Sequence, residues 1–234
     1  MRIGMVSTRF AGTDGVSLET AKVAEVMRRS GHEVAWFAGE LGDEFTPGTL
    51  HPSAHFSDPD ELARQAEYFG NTVRRPGLID DVRTAADDIK DALRGFRDEF
   101  DVDVLMPQNA LAIPMQIPLA VAIGELAAEG VPVLAHHHDL AWERERFSET
   151  SIPDLLDAYF PPRGPSIRHL VINSLAQEQL ARRRGLVTAV LPIVLDFALD
   201  DPGQQDGERF RKAAGLSEDQ ILLLQPTRVI PRKS

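Results

Sequence analysis

Short apolar runs alternate with segments of helical periodicity along most of this chain, and this alternation limits the folds open to it. Residues 3–6 predict a buried strand, residues 16–29 carry apolar side chains near a 3.6-residue period, and residues 33–37 predict a second strand. For the helix between them, Ser17 is the expected N-cap and Gly31 the terminator. A strand, a helix and a strand in this order predict a βαβ unit with a right-handed crossover and parallel strands.

The same alternation returns farther along the chain. Further strands are expected at residues 102–106, 131–135, 166–172 and 187–191. Further helices are expected at residues 58–68, 78–100, 112–128 and 174–184. Residues 39–58 are rich in Gly, Pro and His and are expected to form loop. The pattern predicts an α/β fold with a doubly wound, mostly parallel Rossmann-like sheet.

The last part of the chain has a different composition. Residues 200–207, with the sequence DDPGQQDG, are typical of a linker. A short helix is expected at 208–214 and an apolar strand at 221–224. Because one strand cannot form a sheet, we expect a domain at 1–199, a linker at 200–207 and the beginning of a truncated second domain at 208–234.

Composition narrows the class of partner. The chain has 36 Asp and Glu against 25 Lys and Arg, a formal charge of −11, which disfavours nucleic acid or an anionic membrane as the main partner. The absence of cysteine excludes disulfides and thiolate catalysis. No apolar stretch approaches the roughly 20 residues of a membrane span, and the apolar run at the N-terminus is too short for a signal peptide. We therefore expect a cytoplasmic protein without a membrane span.

Two places in the sequence suit a phosphate group. Gly15 and Val16 lie between the first strand and the first helix, where glycine allows close backbone approach and helix N–H groups can bind an anion. The loop is not GxGxxG, which disfavours a dinucleotide, and a tight turn without a ligand is the alternative. Arg228 and Lys233 follow the last predicted strand and suit a diphosphate, the alternative being a charged, frayed terminus.

Three histidines and an aspartate, residues 136–139, follow the strand predicted at 131–135. Open parallel sheets bind ligands at this carboxyl edge, and the alternation of strand side chains prevents all three rings from facing the same way. The histidines either hydrogen-bond a polar ligand, with Asp139 capping the next helix, or have a structural role. A metal site is a third alternative, but the sequence has no second ligand cluster of recognisable spacing.

Other polar side chains are expected near the same edge. Gln108 and Asn109 end a neighbouring strand, where their amides suit the hydroxyl groups of a ligand, or Asn109 caps the following helix. Arg144 and Arg146 lie in a segment of alternating charge, which is typical of a solvated helix face. The alternative for these two arginines is contact with an anionic substrate.

Five segments, in this order, resemble the retaining glycosyltransferases of family 4, which have the GT-B fold. They are the opening strand–loop–helix with Gly15 and Val16, HDLAWER at 138–144, the helix preceded by Asn173–Ser174 and ending at Arg184–Gly185, LPIVLDF at 191–197, and QPTRVIPRK at 225–233. Ile193 departs from the family pattern, which usually has Asn there. The sequence stops at Ser234, where the family's Gly would follow Lys233, so most of the family's nucleotide-sugar-binding domain is expected to be missing.

The resemblance implies transfer of a sugar from a nucleotide-sugar donor to a small polar acceptor, without a metal or another cofactor. It implies that His138 contacts the donor sugar, with His137 or His136 as alternates, and that Gly15, Val16, Arg228 and Lys233 lie at the donor phosphates. Together with the polar residues expected at the sheet edge, the predicted site has His138, His137 and Asp139 as catalytic residues and Asn109, His136, Arg144 and Arg146 at the acceptor. The 234 residues alone are expected to be inactive because the donor-binding half is missing. Two other functions remain open: a non-catalytic sugar- or nucleotide-binding domain, and a GT-B nucleotide-sugar epimerase.

Overall fold

A parallel sheet of seven strands organises the part of the chain that the computed structural model describes, residues 1–195, 204–217 and 219–224. The strands are β1 (Arg2–Ser7), β2 (Glu33–Ala38), β3 (Gly48–Leu50), β4 (Val104–Pro107), β5 (Val133–His137), β6 (Ile167–Val171) and β7 (Thr188–Val190). The helices are α1 (Gly15–Arg29), α2 (Pro59–Tyr68), α3 (Leu78–Glu99), α4 (Ile117–Ala128), α5 (Pro153–Tyr159), α6 (Ser174–Arg184) and α7 (Gln204–Ala213). The predicted α/β, doubly wound, Rossmann-like fold is confirmed.

The strand order is β3–β2–β1–β4–β5–β6–β7, and every pair of neighbouring strands is parallel. The chain adds strands outward from β1 as far as β3, and then crosses to the other side of β1 to add β4 and its successors. The order therefore reverses between β1 and β4. In doubly wound sheets, ligands bind beyond the carboxyl ends of the strands at such a reversal.

The two faces of the sheet carry separate apolar clusters. One cluster contains residues of α3 and α4 together with strand residues such as Phe37, Leu105 and Ala135. The other contains Val23 and Ala24 of α1 with strand residues on the opposite face. Right-handed crossovers explain this division, because α1 leads outward in one direction and α3 and α4 lead in the other.

Helix α3 shows how the sequence pattern produces the larger cluster. Its buried residues recur every three or four positions: Leu78, Val82, Ala86, Ile89, Leu93 and Phe96. This spacing forms one apolar stripe along the helix. Full burial of a Leu, Ile or Phe side chain contributes about 1.5–3 kcal/mol, so the stripe attaches the helix firmly to the sheet.

Asp14 caps α1, and the prediction that Ser17 does so is wrong. The Asp14 Oδ1 atom accepts hydrogen bonds from the N–H groups of Val16 and Ser17, at 3.0 and 3.2 Å. The Ser17 hydroxyl is buried inside the first turn and donates to Asp14 Oδ2 at 2.6 Å. Both residue types are good N-caps, so composition alone does not distinguish them.

Three other expectations about local structure are corrected, and one helix was missed. Residues 39–58 contain β3 and a short 3₁₀ turn at Pro52–Ala54, where the sequence predicted only loop. Helix α4 begins at Ile117, five residues later than residue 112, because the Gln116 side chain accepts the Leu119 N–H and caps it there. Helix α5 was not predicted. Residues 221–224 do not form the expected strand.

The chain divides into one compact unit at Met1–Ile193 and another at Val194–Ser234. The domain bounds expected at 1–199, 200–207 and 208–234 stay a prediction. Of the proposed linker, residues 200–203 lie outside the described residues and residues 204–207 belong to α7. Within the described ranges, every helix is too short or too polar to cross a bilayer.

Two glycine substitutions test the close packing after β2. A Cβ on Gly39 would lie 2.1 Å from the backbone nitrogen of His55, which no side-chain rotation can relieve. We expect Gly39→Ala to lower the free energy of unfolding by about 1–3 kcal/mol. In α3, Gly95 has open space at the same position, so Gly95→Ala should raise stability by about 0.5–1 kcal/mol. Urea denaturation followed by circular dichroism measures both, and a Gly39→Ala protein as stable as the wild type would contradict this packing.

Candidate functional site

The carboxyl ends of β1, β4 and β5 lie side by side, and polar residues follow each of them. The Gln108 N–H donates to the Val6 carbonyl of β1 at 2.8 Å, and the Asn109 N–H donates to the His136 carbonyl of β5 at 2.8 Å. The residues after β4 are therefore hydrogen-bonded to both neighbouring strands. This edge, where the strand order reverses, is the candidate functional site.

Asn109 connects the end of β4 to the turn after β5. Its Oδ1 atom accepts hydrogen bonds from the N–H groups of His138 and Asp139, at 3.0 and 3.1 Å. Its backbone has φ of +60°, a left-handed conformation that asparagine tolerates better than most residues. Asn109 thus holds the turn that carries His138. It does not cap α4, which was the alternative left open by the sequence.

Gln108 joins two of the three histidines. Its side chain is 1% exposed, and its Oε1 atom lies 2.9 Å from His136 Nδ1 and 3.3 Å from His138 Nε2. The rings of His136 and His138 are 4.5 Å apart between centroids. His136 is completely buried and His138 is partly exposed. Of the two rings, His138 is the one that can meet a ligand.

His137 lies on the opposite face of the sheet. Its Nε2 atom is 2.9 Å from Nδ1 of His169 on β6, and the two rings stack with centroids 5.2 Å apart. Ala135, two residues earlier on the same face, belongs to the cluster formed with α3 and α4. The alternation of strand side chains separates His137 from its two neighbours, as expected. The structure does not bring His137 together with His138.

Burial keeps these histidines neutral at pH 7. Desolvation lowers the pKa of His138 to about 4; nearby His136 lowers it too, while Asp139 and Asp14 act in the raising direction. Burial likewise lowers the pKa of His169 to about 4, with the Pro162 backbone opposing and Arg168 adding to the shift. It lowers the pKa of His136, against the raising influence of Glu19 and the Leu191 backbone. For His137, burial first and then the three neighbouring histidines hold the pKa well below its ordinary value.

The loop between β1 and α1 lies at the same edge, because it follows Ser7 of β1, whose hydroxyl donates to the Gln108 carbonyl at 3.4 Å. Asp14 in this loop accordingly acts to raise the pKa of His138. Gly15 and Val16 follow Asp14 directly, so the structure brings them to the side where Asn109 and His138 lie. However, Asp14 accepts the Val16 N–H. An anion at this helix N-terminus would face the Asp14 carboxylate, and of the two predicted residues only Gly15 keeps a free N–H for it.

Asp139 pairs with Arg144, not with a helix N-terminus as one interpretation of the sequence expected. Arg144 Nη2 lies 2.7 Å from Asp139 Oδ2, and Asn109 Nδ2 approaches the same oxygen at 3.4 Å. The segment expected to be a helix with alternating charges forms two short 3₁₀ turns, Ala141–Glu143 and Glu145–Phe147. These turns bring Arg144 towards the site.

Arg146 lies close enough to Arg144 for their two positive charges to interact. Burial, and then the Arg144 guanidinium, lower the pKa of Arg146, although it stays charged. Its guanidinium stacks 4.4 Å from the centre of the Phe147 ring. Arg146 makes no ion pair with any residue of the described ranges. Asp139 therefore pairs with Arg144 alone, and the second guanidinium beside it has no described carboxylate partner, an arrangement suited to binding another anion.

Of the residues predicted from the sequence, the structure brings together Gly15, Val16, Asn109, His136, His138, Asp139 and Arg144, with Arg146 beside Arg144. His137 lies on the other face, and Arg228 and Lys233 lie outside the described residues. Sequence reasoning missed the buried Glu19, whose position on the apolar face of α1 was a usable signal. It also missed His169, the partner of His137. Among the residues described, no group of three or more His, Asp or Glu side chains is placed to hold a metal ion.

The sequence of this chain was compared with those of known proteins. No family model matches the chain. It is 31% identical, over its whole length, to the mannosylglucosylglycerate synthase of Petrotoga mobilis and 30% identical to that of Thermotoga maritima, covering 54% of each. The chain therefore spans about half the length of these curated relatives. This similarity supports a relationship to glycosyltransferases.

A solved structure also aligns, though loosely. Sucrose-phosphate synthase from Thermosynechococcus elongatus matches 92% of this chain and 99% of its own, with a TM-score of 0.42 and 10% sequence identity.

Substitution of Asn109 tests the connection between β4 and the turn after β5. In Asn109→Ala, two N–H groups lose their acceptor and a Cβ-bearing residue without a stabilising side chain occupies the left-handed region, so we expect a loss of about 2–4 kcal/mol. Asn109→Gly loses the same hydrogen bonds without the strain and should be about 1 kcal/mol more stable than the alanine variant. Chemical denaturation measures both variants. Wild-type stability in Asn109→Ala would contradict the connection.

The buried histidines predict that acid destabilises the protein. The pKa of His138 is about 4 in the folded state against 6.5 when unfolded, so the unfolded chain binds a proton more readily. The part of the unfolding free energy that depends on neutral His138 is fully present above about pH 6.5 and is lost as the pH falls towards about 4. Urea midpoints recorded across this range should decline, and less steeply in His138→Gln. Parallel declines in the wild type and the variant would show that His138 is not held neutral by burial.

Proposed function

We propose that this chain is part of a retaining glycosyltransferase that resembles family 4 and moves a hexosyl group from a nucleotide sugar to a small hydroxylated acceptor. The observation that carries the proposal is the position of the HDLAWER segment (138–144). It follows β5, the neighbour of β4, and so lies beside the reversal of strand order between β1 and β4, at the edge where the loop before α1 also lies. The similarity of this chain, over all of its own length, to about half of two mannosylglucosylglycerate synthases supports the same function. We further propose that the enzyme works in the cytoplasm and needs no metal or other cofactor.

In this proposal, His138 binds a hydroxyl group of the donor sugar. Because its pKa of about 4 keeps the ring neutral, it acts as a hydrogen-bonding group and not as a cation. The Gly15 N–H is the backbone donor nearest the diphosphate, and the Val16 side chain contributes contact area. Arg228 and Lys233 would neutralise the charge that develops as the nucleoside diphosphate departs. In a retaining reaction without a covalent intermediate, the acceptor attacks from the side of the leaving group, which takes the acceptor's proton.

We propose that the acceptor carries a carboxylate. Arg144 and Arg146 lie near each other, and among their described neighbours only Asp139 forms an ion pair with either. A guanidinium binds a carboxylate through two parallel hydrogen bonds, so a second carboxylate can dock here. The relatives are named for a product built on glycerate, a hydroxylated carboxylic acid. Asn109 and the His136–His138 edge would then lie close to the acceptor's hydroxyl groups.

Replacement of His138 in the full-length protein tests the proposed function. We expect His138→Ala to lower kcat/KM for sugar transfer about 10- to 100-fold, because one or two hydrogen bonds to the sugar are lost. His51→Ala is the matched control, since His51 follows β3, four strands from β5 along the sheet, where it contacts Asp88 and Ser53. The assay combines a panel of nucleotide sugars with glycerate-based acceptors and identifies the products. Equal losses in the two variants, or no transfer with any donor, would contradict the proposal.

A further inference from the structure

Gln108 is a buried residue of the candidate site that has no role in the proposed sugar transfer. It is buried directly below the edge of the sheet, and its single carbonyl oxygen lies within hydrogen-bond distance of two imidazole rings. A buried amide that serves two histidines at once can decide where both carry their protons. Both rings are neutral, and a neutral imidazole carries its proton on either Nδ1 or Nε2. The charge state alone therefore does not determine which nitrogen is protonated.

The surroundings of Gln108 determine how its amide is turned. Its Nε2 atom lies 3.5 Å from the Met106 carbonyl oxygen and 3.9 Å from Met5 Sδ, both of which are acceptors. Turning the amide by 180° would place its oxygen against the Met106 carbonyl oxygen, with no hydrogen between them. The amide nitrogen therefore faces Met5 and Met106, and the oxygen faces the histidines.

An amide oxygen only accepts hydrogen bonds, so both facing imidazole nitrogens must carry hydrogen. His136 then donates from Nδ1 and His138 donates from Nε2. The other nitrogen of His136, Nε2, is buried without a hydrogen-bond partner in the described part of the chain. The Leu191 backbone raises the pKa of His136 but makes no hydrogen bond with Nε2. Nδ1 of His138 is likewise bonded to no described group, and it is left with a free lone pair.

We propose that Gln108 is a positioning residue that holds His136 protonated at Nδ1 and His138 protonated at Nε2. In this state His138 offers Nδ1 as a hydrogen-bond acceptor to a ligand hydroxyl group, and it cannot donate from that atom. This last step rests on the proposed function, because it takes the ligand to be a sugar. The protonation pattern itself does not depend on any activity.

Nuclear magnetic resonance of the 234-residue chain with ¹⁵N-labelled histidine tests the proposal. Long-range proton–nitrogen correlations distinguish protonated from unprotonated ring nitrogens. The wild type should show His136 protonated at Nδ1 and His138 at Nε2, each as a single tautomer. In Gln108→Leu the acceptor is gone, and His138 should become a mixture of both tautomers.

A second variant replaces the amide by a carboxylate. In Gln108→Glu, the new charge beside His136 and His138 should raise the pKa of His138 by about one unit or more, in the same direction as the existing influence of Asp14 and Asp139. Gln177→Leu is the matched control, because its amide donates to the Thr188 carbonyl on another strand. The His137–His169 pair on the opposite face serves as an internal reference in each spectrum.

A wild-type His138 protonated at Nδ1 would overturn the proposal, as would a Gln108→Leu spectrum in which His138 keeps its single tautomer. If Gln108→Leu does not fold, the wild-type tautomers and the Gln108→Glu titration decide the matter. The expected tautomers combined with an absence of sugar transfer would overturn the proposed function alone. Sugar transfer combined with the opposite tautomers would overturn only the role of Gln108.

Discussion

The parallel pairing of β1, β4 and β5 is the constraint on which the rest of this structure depends. Parallel strands end at a common edge, so the residues that follow three separate strands meet there although they are far apart in the sequence. The turn after β5 would expose the N–H groups of His138 and Asp139, and the Asn109 side chain accepts both. The fold determines where the site lies. The side-chain amides of Gln108 and Asn109 fix the positions of the histidine rings and of the turn after β5 through hydrogen bonds.

Much of the fold was predictable because local signals and tertiary packing agree. The apolar stripe of α3 and the strand–helix–strand opening follow the sequence pattern closely, and α6 begins and ends at the predicted residues. The failures are short elements or ambiguous ends. Strand β3 has three residues and α5 has seven, too few to show a period. The apolar residues before α4 looked helical, but Gln116 caps that helix only after them.

The candidate site was predictable in its location but not in its contacts. Topology places the histidines at the carboxyl edge, and the alternation of strand side chains separates His137 from His136. The partner of His137 depends on the register of β5 against β6, which pairs Ala135 with His169. Register is a property of the packed sheet and is not visible in one strand. The pairing of Asp139 with Arg144 likewise depends on how the two 3₁₀ turns fold.

The candidate site therefore depends on His136 and His138 lying on one side of the sheet edge while His137 turns to the other. Nuclear Overhauser contacts between assigned histidine rings measure this arrangement directly. We expect strong contacts between the rings of His136 and His138, whose centroids are 4.5 Å apart, and between those of His137 and His169, at 5.2 Å. Strong contacts between the His137 and His138 rings, with none between those of His136 and His138, would contradict this arrangement of the site.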